Sequence, residues 1–390
     1  MYLTSLTVKG YRSLVDAIVP LQPLTVIIGP NGCGKSSVAE VLTLLGIQAA
    51  KYGQTIDQKL IGLGGINAVR SFIAATPEQI VISVTTDSDL AYQILLTSNY
   101  AAKLSIEETF IVKSNHAIFH TLRQREDVLT SWHGEAFAEQ IIFKHQKDLI
   151  NLEKLIYVLE HPTSDFNNQE TKLANLLSNS LFIDKLNTTP NSLIRLPQTL
   201  LPELRPGKQG ETLFSCLSNL RNTQQWHSKF VEIEEVMKQA FPGFDRIELP
   251  VVGAGQITLT WHDHHLSQPL YPGQLSDGTL QFLWLTTTLL SADPPPLIVI
   301  DEPEVNLHPA LLQLLAGLLQ NAATHSQIII LTHSSDLIHW LSPEQIVIAD
   351  KENGATRFIS AANPSFNLNE WLQDFSLSDL WRMGVLGGQP

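Results

Sequence analysis

The chain has 390 residues, 44% hydrophobic and only 16% charged, which allows one large domain or two to three smaller ones and excludes a disordered chain. Its net charge of −13 excludes a surface that is basic throughout, and no apolar run reaches the roughly 18–20 residues of a spanning helix. The start, Met1-Tyr2-Leu3-Thr4-Ser5, lacks the marks of a signal peptide, and two cysteines (Cys33, Cys216) make no disulfide framework, so a reducing cytoplasm and no membrane insertion are expected.

Residues 2–9 alternate as a strand, and Ile18–Leu21 offers a second. Leu24-Thr25-Val26-Ile27-Ile28 is a β-branched apolar run that stops at Gly29-Pro30-Asn31-Gly32, as a buried strand should. Helical spacing follows over Ser36–Leu45. From Ile80 to about Trp132 the pattern is strand-like, with alternation in Ile80–Thr85 and Thr109–Val112. Helical stripes then run through Ile142–Leu159, Leu173–Leu181 and Phe230–Phe241, interrupted by Thr189–Pro206. Ile247–Trp261 returns to strands. An apolar helix follows Ser276, then a strand at Leu297–Ile300, a helix over Ala310–Ala322, a strand at Gln327–Leu331 and a last strand at Gln345–Ala349. No internal repeat or long heptad array appears.

Charge is uneven along this order. Residues 1–75 hold six Lys/Arg against three Asp/Glu, whereas residues 271–390 hold three against twelve. A polyanion would meet the N-terminal part.

Four segments carry chemistry. Gly29-Pro30-Asn31-Gly32-Cys33-Gly34-Lys35-Ser36 matches G-x-x-x-x-G-K-[ST] between a predicted strand and a predicted helix. Glycines there let backbone N–H groups wrap phosphates, Lys35 supplies charge, and Ser36 offers a hydroxyl to Mg²⁺. Leu297-Ile298-Val299-Ile300-Asp301-Glu302 is an apolar strand running into two carboxylates, of which Asp301 would hold Mg²⁺ and Glu302 would polarise water. Leu275-Ser276-Asp277-Gly278-Thr279 opens a helix whose first N–H groups could face an anion. Ile328–Leu331 leads to Thr332-His333, a histidine at a strand end. The cluster His262-Asp263-His264-His265 reads as a surface turn rather than a metal site, because alternate strand side chains point apart.

These motifs in this order, with Asn306-Leu307-His308-Pro309 after the acidic pair, resemble the ABC ATPase clade. The opening Val8-Lys9-Gly10-Tyr11-Arg12-Ser13-Leu14 and the ending Leu368-Asn369-Glu370-Trp371 to Gly388 resemble the recombination-protein-F-like (RecF-like) and OLD-like AAA ATPases of bacteria, relatives of the SMC heads. The resemblance covers residues 1–75 and 244–390. It implies nucleotide contacts from Arg12 and from Gly29, Pro30, Asn31, Gly32, Cys33, Gly34, Lys35, Ser36 and Ser37. It implies Ser36 and Asp301 as metal-holding residues and Glu302, His333 and Lys35 as catalytic ones. Ser276 and Gly278 would touch the γ-phosphate of an opposite subunit, and Asn306 would lie in the D-loop. A Q-loop glutamine is also implied, with Gln124, Gln140 and Gln146 as sequence candidates.

The expected fold is therefore an α/β P-loop NTPase, an ABC ATPase head. Residues 1–75 and 271–390 would form the head, 76–140 and 244–270 an antiparallel β lobe, and 141–243 a mostly helical insertion. The expected activity is Mg²⁺-dependent hydrolysis of ATP to ADP and phosphate in a homodimer that sandwiches ATP. By resemblance the duty is DNA repair or defence against phage, with DNA and a nuclease or effector protein in trans as partners. The segment after His333 has no acidic cluster of the Toprim nuclease type, so no nuclease in cis is expected. Two other classes stay open: the ATPase subunit of a transporter, and a nucleotide-gated interaction module.

Overall fold

The computed structural model describes residues 1–50, 54–73, 79–88, 90–98, 104–114, 117–124, 164–366 and 368–386. Its centre is a six-stranded sheet with the spatial order Ala355–Ser360, Ile346–Glu352, Leu24–Ile28, Gln327–Thr332, Leu297–Asp301 and Leu181–Ile183. All neighbours run parallel except Ala355–Ser360, which folds back antiparallel on Ile346–Glu352. The sequence pattern ends one strand too early here. Ala355–Ser360 is a mostly half-exposed edge strand with no apolar run, and it follows the tight Asn353-Gly354 turn, where both residues have positive φ.

The inner strands read as continuous apolar runs because both of their faces are covered. Alternate side chains feed two cores. Val26, Ile28, Ile298, Ile300, Ile328 and Ile330 face one that includes Leu283 of the helix Asp277–Leu289, Leu217 of Leu213–Asn222 and Ile233 of His227–Ala240. Ile27, Leu297, Val299, Ile329 and Leu331 face the other, which includes Val38, Val41, Leu42 and Leu45 of the helix Lys35–Ala49.

A second six-stranded sheet is antiparallel throughout: Leu14–Pro20, Leu3–Tyr11, Ile80–Thr86, Leu90–Ser98, Leu104–Ser114 and Ala117–Gln124. Its row Leu6, Val8, Ile82, Val84, Ile94 and Leu96 joins the core of the Lys35–Ala49 helix. Residues 244–270 do not enter this sheet. Phe244–Glu248 pairs with Thr260–Asp263, while Val251–Gly253, Gln256–Ile257 and Gln198–Thr199 form a small separate sheet. Phe244, Ile247 and Trp261 bury their apolar surface in the opposite core, with Phe230 and Ile233. The two segments expected to make one β lobe thus lie in different layers.

Within the expected insertion, the stripe Ile142–Leu159 lies outside the described residues. Ser164–Ser178, Leu213–Asn222 and His227–Ala240 are helices. The stripe read as running on to Leu181 breaks earlier. Ser180 Oγ donates to Leu176 O at 2.6 Å at the helix end, and Leu181–Ile183 becomes a strand by filling the open edge of Leu297–Asp301. Among the described residues no helix is long and apolar enough to cross a membrane.

Candidate active site

The strand Leu24–Ile28 delivers the Gly29–Ser37 loop to the N-terminus of the helix Lys35–Ala49. Gly34 begins that helix at φ +93°, and a Cβ there would meet Thr356 Oγ1 at 2.6 Å and Ser13 Oγ at 2.8 Å, so only glycine fits. The helix has no side-chain cap and no acidic residue in its first turn. Its positive end is therefore open to an anion. Lys35 is buried, and its Nζ donates to Gly29 O (2.7 Å), Pro30 O (2.9 Å) and His333 Nδ1 (3.3 Å). Burial pushes its pKa down. Cys33 is buried under the loop, with Sγ 3.7 Å from Lys35 Nζ. Ser36, on the exposed side, donates to Asp301 Oδ2 at 3.2 Å.

Parallel pairing brings the remaining groups to the same sheet edge. Asp301 lies opposite Leu331, and Ile28 opposite Thr332. Strand ends in an open α/β sheet gather there. Burial pushes the Asp301 carboxyl up. Glu302 takes φ +50°, and its N–H donates to Leu331 O at 2.8 Å. Its Oε1 lies 3.5 Å from His333 Nε2, and its Oε2 lies 2.6 Å from Lys185 Nζ. Lysine carries no acceptor, so His333 Nδ1 must accept from Lys35 and its proton sits on Nε2, facing Glu302. Burial, then the Lys35 charge, push the His333 pKa down. Glu304 Oε1 accepts from Thr332 Oγ1 (2.6 Å) and His333 N (3.1 Å), which fixes the strand end that carries the histidine.

Sequence reasoning missed Asp184 and Lys185. They follow the edge strand Leu181–Ile183, whose register (Ile183 opposite Ile300) sets Asp184 beside Asp301. The signal was a short apolar run ending in charge, Leu181-Phe182-Ile183-Asp184-Lys185, like Ile298-Val299-Ile300-Asp301-Glu302; helical spacing hid it. Of the expected Q-loop candidates, Gln124 ends the outermost strand of the antiparallel sheet, and Gln140 and Gln146 lie outside the described residues.

The turn before Asp277–Leu289 is built differently. Ser276 is exposed and caps the helix, its Oγ accepting from Thr279 N at 3.1 Å. Gly278 backs onto the Asn306 carbonyl so closely that no Cβ would fit, and Asn306 itself has φ +63°. Arg195 holds the turn from behind. Its guanidinium donates to Thr188 O (2.7 Å), Pro272 O (2.7 Å), Leu275 O (2.9 Å) and Asp277 Oδ1 (2.6 Å), with its side chain 8% exposed. No sequence signal marked Arg195, because its partners lie up to 82 residues away. Arg12 stands at the turn between the first two strands (φ +48°) and pairs with Glu40 Oε2 of the Lys35–Ala49 helix at 3.2 Å. Tyr11 OH donates to the same oxygen at 2.8 Å. His262 and His264 lie beside Glu248 and Asp245, and among the described residues no three side chains gather as a metal-binding set.

Ser36 Oγ and Asp301 Oδ2, side by side, are hard oxygen donors of the kind Mg²⁺ prefers, and the uncapped helix beside them suits phosphate. A cleft of about 400 Å³ opens at this point, with Glu40, Lys59, Asp184 and Lys208 on its walls.

A family model described as "AAA domain, putative AbiEii toxin, Type IV TA system" matches residues 24–338. Similarity to curated proteins is local. An OLD nuclease of Thermus scotoductus is 46% identical over 43 residues, 11% of this chain and 8% of that protein. The chromosome partition protein Smc of Desulfitobacterium hafniense is 44% identical over 54 residues, 13% of this chain and 4% of that protein. The match thus spans less than a tenth of either relative. Among solved structures, an Smc head bound to the C-winged helix domain of ScpA aligns with a TM-score of 0.56 at 13% identity, covering 94% of this chain and 100% of that one. An Smc head with an extended coiled coil, bound to the C-terminal domain of ScpA derived from Pyrococcus furiosus, gives 0.53 at 12%, covering 96% and 100%. At such identities the likeness is one of fold.

Proposed function

This chain belongs to the family described as "AAA domain, putative AbiEii toxin, Type IV TA system", a group of ABC- and SMC-related ATPases, and from that premise we propose that it hydrolyses ATP with Mg²⁺ between two head-to-tail copies. One observation carries this reading: Ser36, Asp301, Glu302 and His333 converge at the mouth of an uncapped P-loop helix. Lys35 exchanges its loop carbonyls for the β- and γ-phosphates. Ser36 and Asp301 hold Mg²⁺, which when bound neutralises charge on those phosphates. Glu302 accepts the proton of the attacking water, and neutral His333 orients it through Nε2–H. Ser276 and Gly278 sit on an exposed turn in front of an otherwise buried helix, so they serve a second chain's γ-phosphate.

The test is Glu302→Gln, which keeps shape and removes the proton acceptor. ATP binding should persist while turnover falls about 100-fold or more and an ATP-bound dimer accumulates in size-exclusion chromatography. Turnover at the wild-type rate in that variant rejects Glu302 as base.

For cellular duty we propose DNA repair or phage defence together with a nuclease or effector protein. The support is the local similarity to an OLD nuclease and an Smc protein, and the excess of basic residues in residues 1–75. Anisotropy with labelled DNA should show binding that needs a non-hydrolysable ATP analogue and weakens with salt. No binding at low salt in either state rejects the DNA part of the reading.

A further inference from the structure

Lys35, His333, Glu302 and Lys185 form one chain of contacts across the site. Its steps are 3.3 Å, 3.5 Å and 2.6 Å. The two lysines flank the histidine and the carboxylate from opposite sides, and they differ in freedom. Lys35 is buried, whereas the Lys185 side chain is 64% exposed and is held through the Glu302 carboxylate. Its ammonium is kept charged by that hydrogen bond.

Both ammonium ions rest on oxygens of the protein itself, Lys35 on Gly29 and Pro30 carbonyls and Lys185 on Glu302 Oε2. At 2.6 Å the Lys185 ammonium occupies the face of Glu302 Oε2 that a water would need. Glu302 Oε2 can therefore meet a water only after Lys185 has moved. An exposed lysine on a flexible four-carbon stem is free to do so. The anion that would draw it off carries more charge than a carboxylate and arrives beside Glu302. The γ-phosphate of ATP meets both conditions, and ADP has no such group.

We propose that Lys185 is a γ-phosphate sensor: it occupies Glu302 in the free and ADP-bound chain and moves to the γ-phosphate when ATP binds, which frees Glu302. This rests on the ATPase reading above and adds the device that couples nucleotide identity to the base. Lys185 is a phosphate-binding and positioning residue here; the proton still passes to Glu302.

Nucleotide binding tests it independently of turnover. Titration calorimetry with Mg²⁺ would compare a non-hydrolysable ATP analogue with ADP on the wild type, Lys185→Met and Lys185→Arg. Lys185→Met should leave ADP affinity within about twofold and weaken the analogue about tenfold, or about 1.4 kcal/mol, and Lys185→Arg should restore most of that preference. Glu302→Gln should strengthen analogue binding a few-fold, because the neutral amide holds Lys185 less firmly, and should not do so in the Lys185→Met background. An unchanged ratio of analogue to ADP affinity in Lys185→Met overturns the proposal and leaves the ATPase reading standing. Equal weakening of both nucleotides also overturns it, since that marks a structural role. A wild-type chain that binds neither nucleotide rejects the ATPase reading itself, and the proposal with it.

Discussion

The helix Lys35–Ala49 starts at a glycine, with no side-chain cap and no acid in its first turn; the helix Asp277–Leu289 starts at Ser276, which already caps it, and carries Asp277 in its first turn. Each helix end holds about half a positive charge and N–H groups without intrahelical partners. At the first, nothing in the side chains satisfies them, and Lys35 is parked on loop carbonyls. At the second, Ser276 Oγ takes the Thr279 N–H, Asp277 offsets the dipole, and Arg195 offsets Asp277. The first end can receive phosphate in a single chain. The second must give up its own cap to do so, which fits a group recruited only when two chains meet. Binding and hydrolysis should therefore separate by mutation.

The largest effect should come from Lys35→Ala. Removing the charge at the open helix end should weaken ATP about 100-fold or more in titration calorimetry, about 3 kcal/mol. Near-normal affinity would mean that the backbone alone binds phosphate. Ser276→Arg should do the opposite, leaving affinity within about twofold while bulk and charge at the exposed turn reduce turnover about 100-fold. Mixing these two inactive proteins should restore partial ATPase activity, up to about half of wild type per mixed dimer, because one of its two composite sites is intact. Full turnover by Ser276→Arg, or by a demonstrated monomer, refutes the trans arrangement.

Arg195→Ala should lower stability by about 2 kcal/mol in denaturant unfolding, because it takes the side-chain donor from the Thr188 and Leu275 carbonyls and unpairs Asp277. Turnover should fall further than nucleotide affinity, since the clamp holds the second helix end and not the first. A variant that loses affinity and turnover equally would show that the two ends are not independent. The smallest effect should be Ser276→Ala, about 1 kcal/mol of stability for a lost cap, read from the urea midpoint. No loss at all would mean that the turn holds its shape through Arg195 alone.

What could be read along the chain was local. A β-branched run, a glycine loop and a helical stripe are contiguous, so the strand–loop–helix around Gly29–Ser36 and the strand ending at Asp301 are legible in the sequence, as is the α/β head itself. Both follow from backbone preference and from burial on two faces. What only the tertiary structure decided was pairing over distance. Leu181–Ile183 looks like the tail of a helix until the open edge beside Leu297–Asp301 supplies its hydrogen-bond partners, and only then do Asp184 and Lys185 arrive at Asp301 and Glu302. Three residues are too few to show a period, so no local pattern could make that choice. Arg195 is silent for the same kind of reason: its acceptors are mostly backbone carbonyls, which every residue has, and its role arises from where the folded chain brings them together.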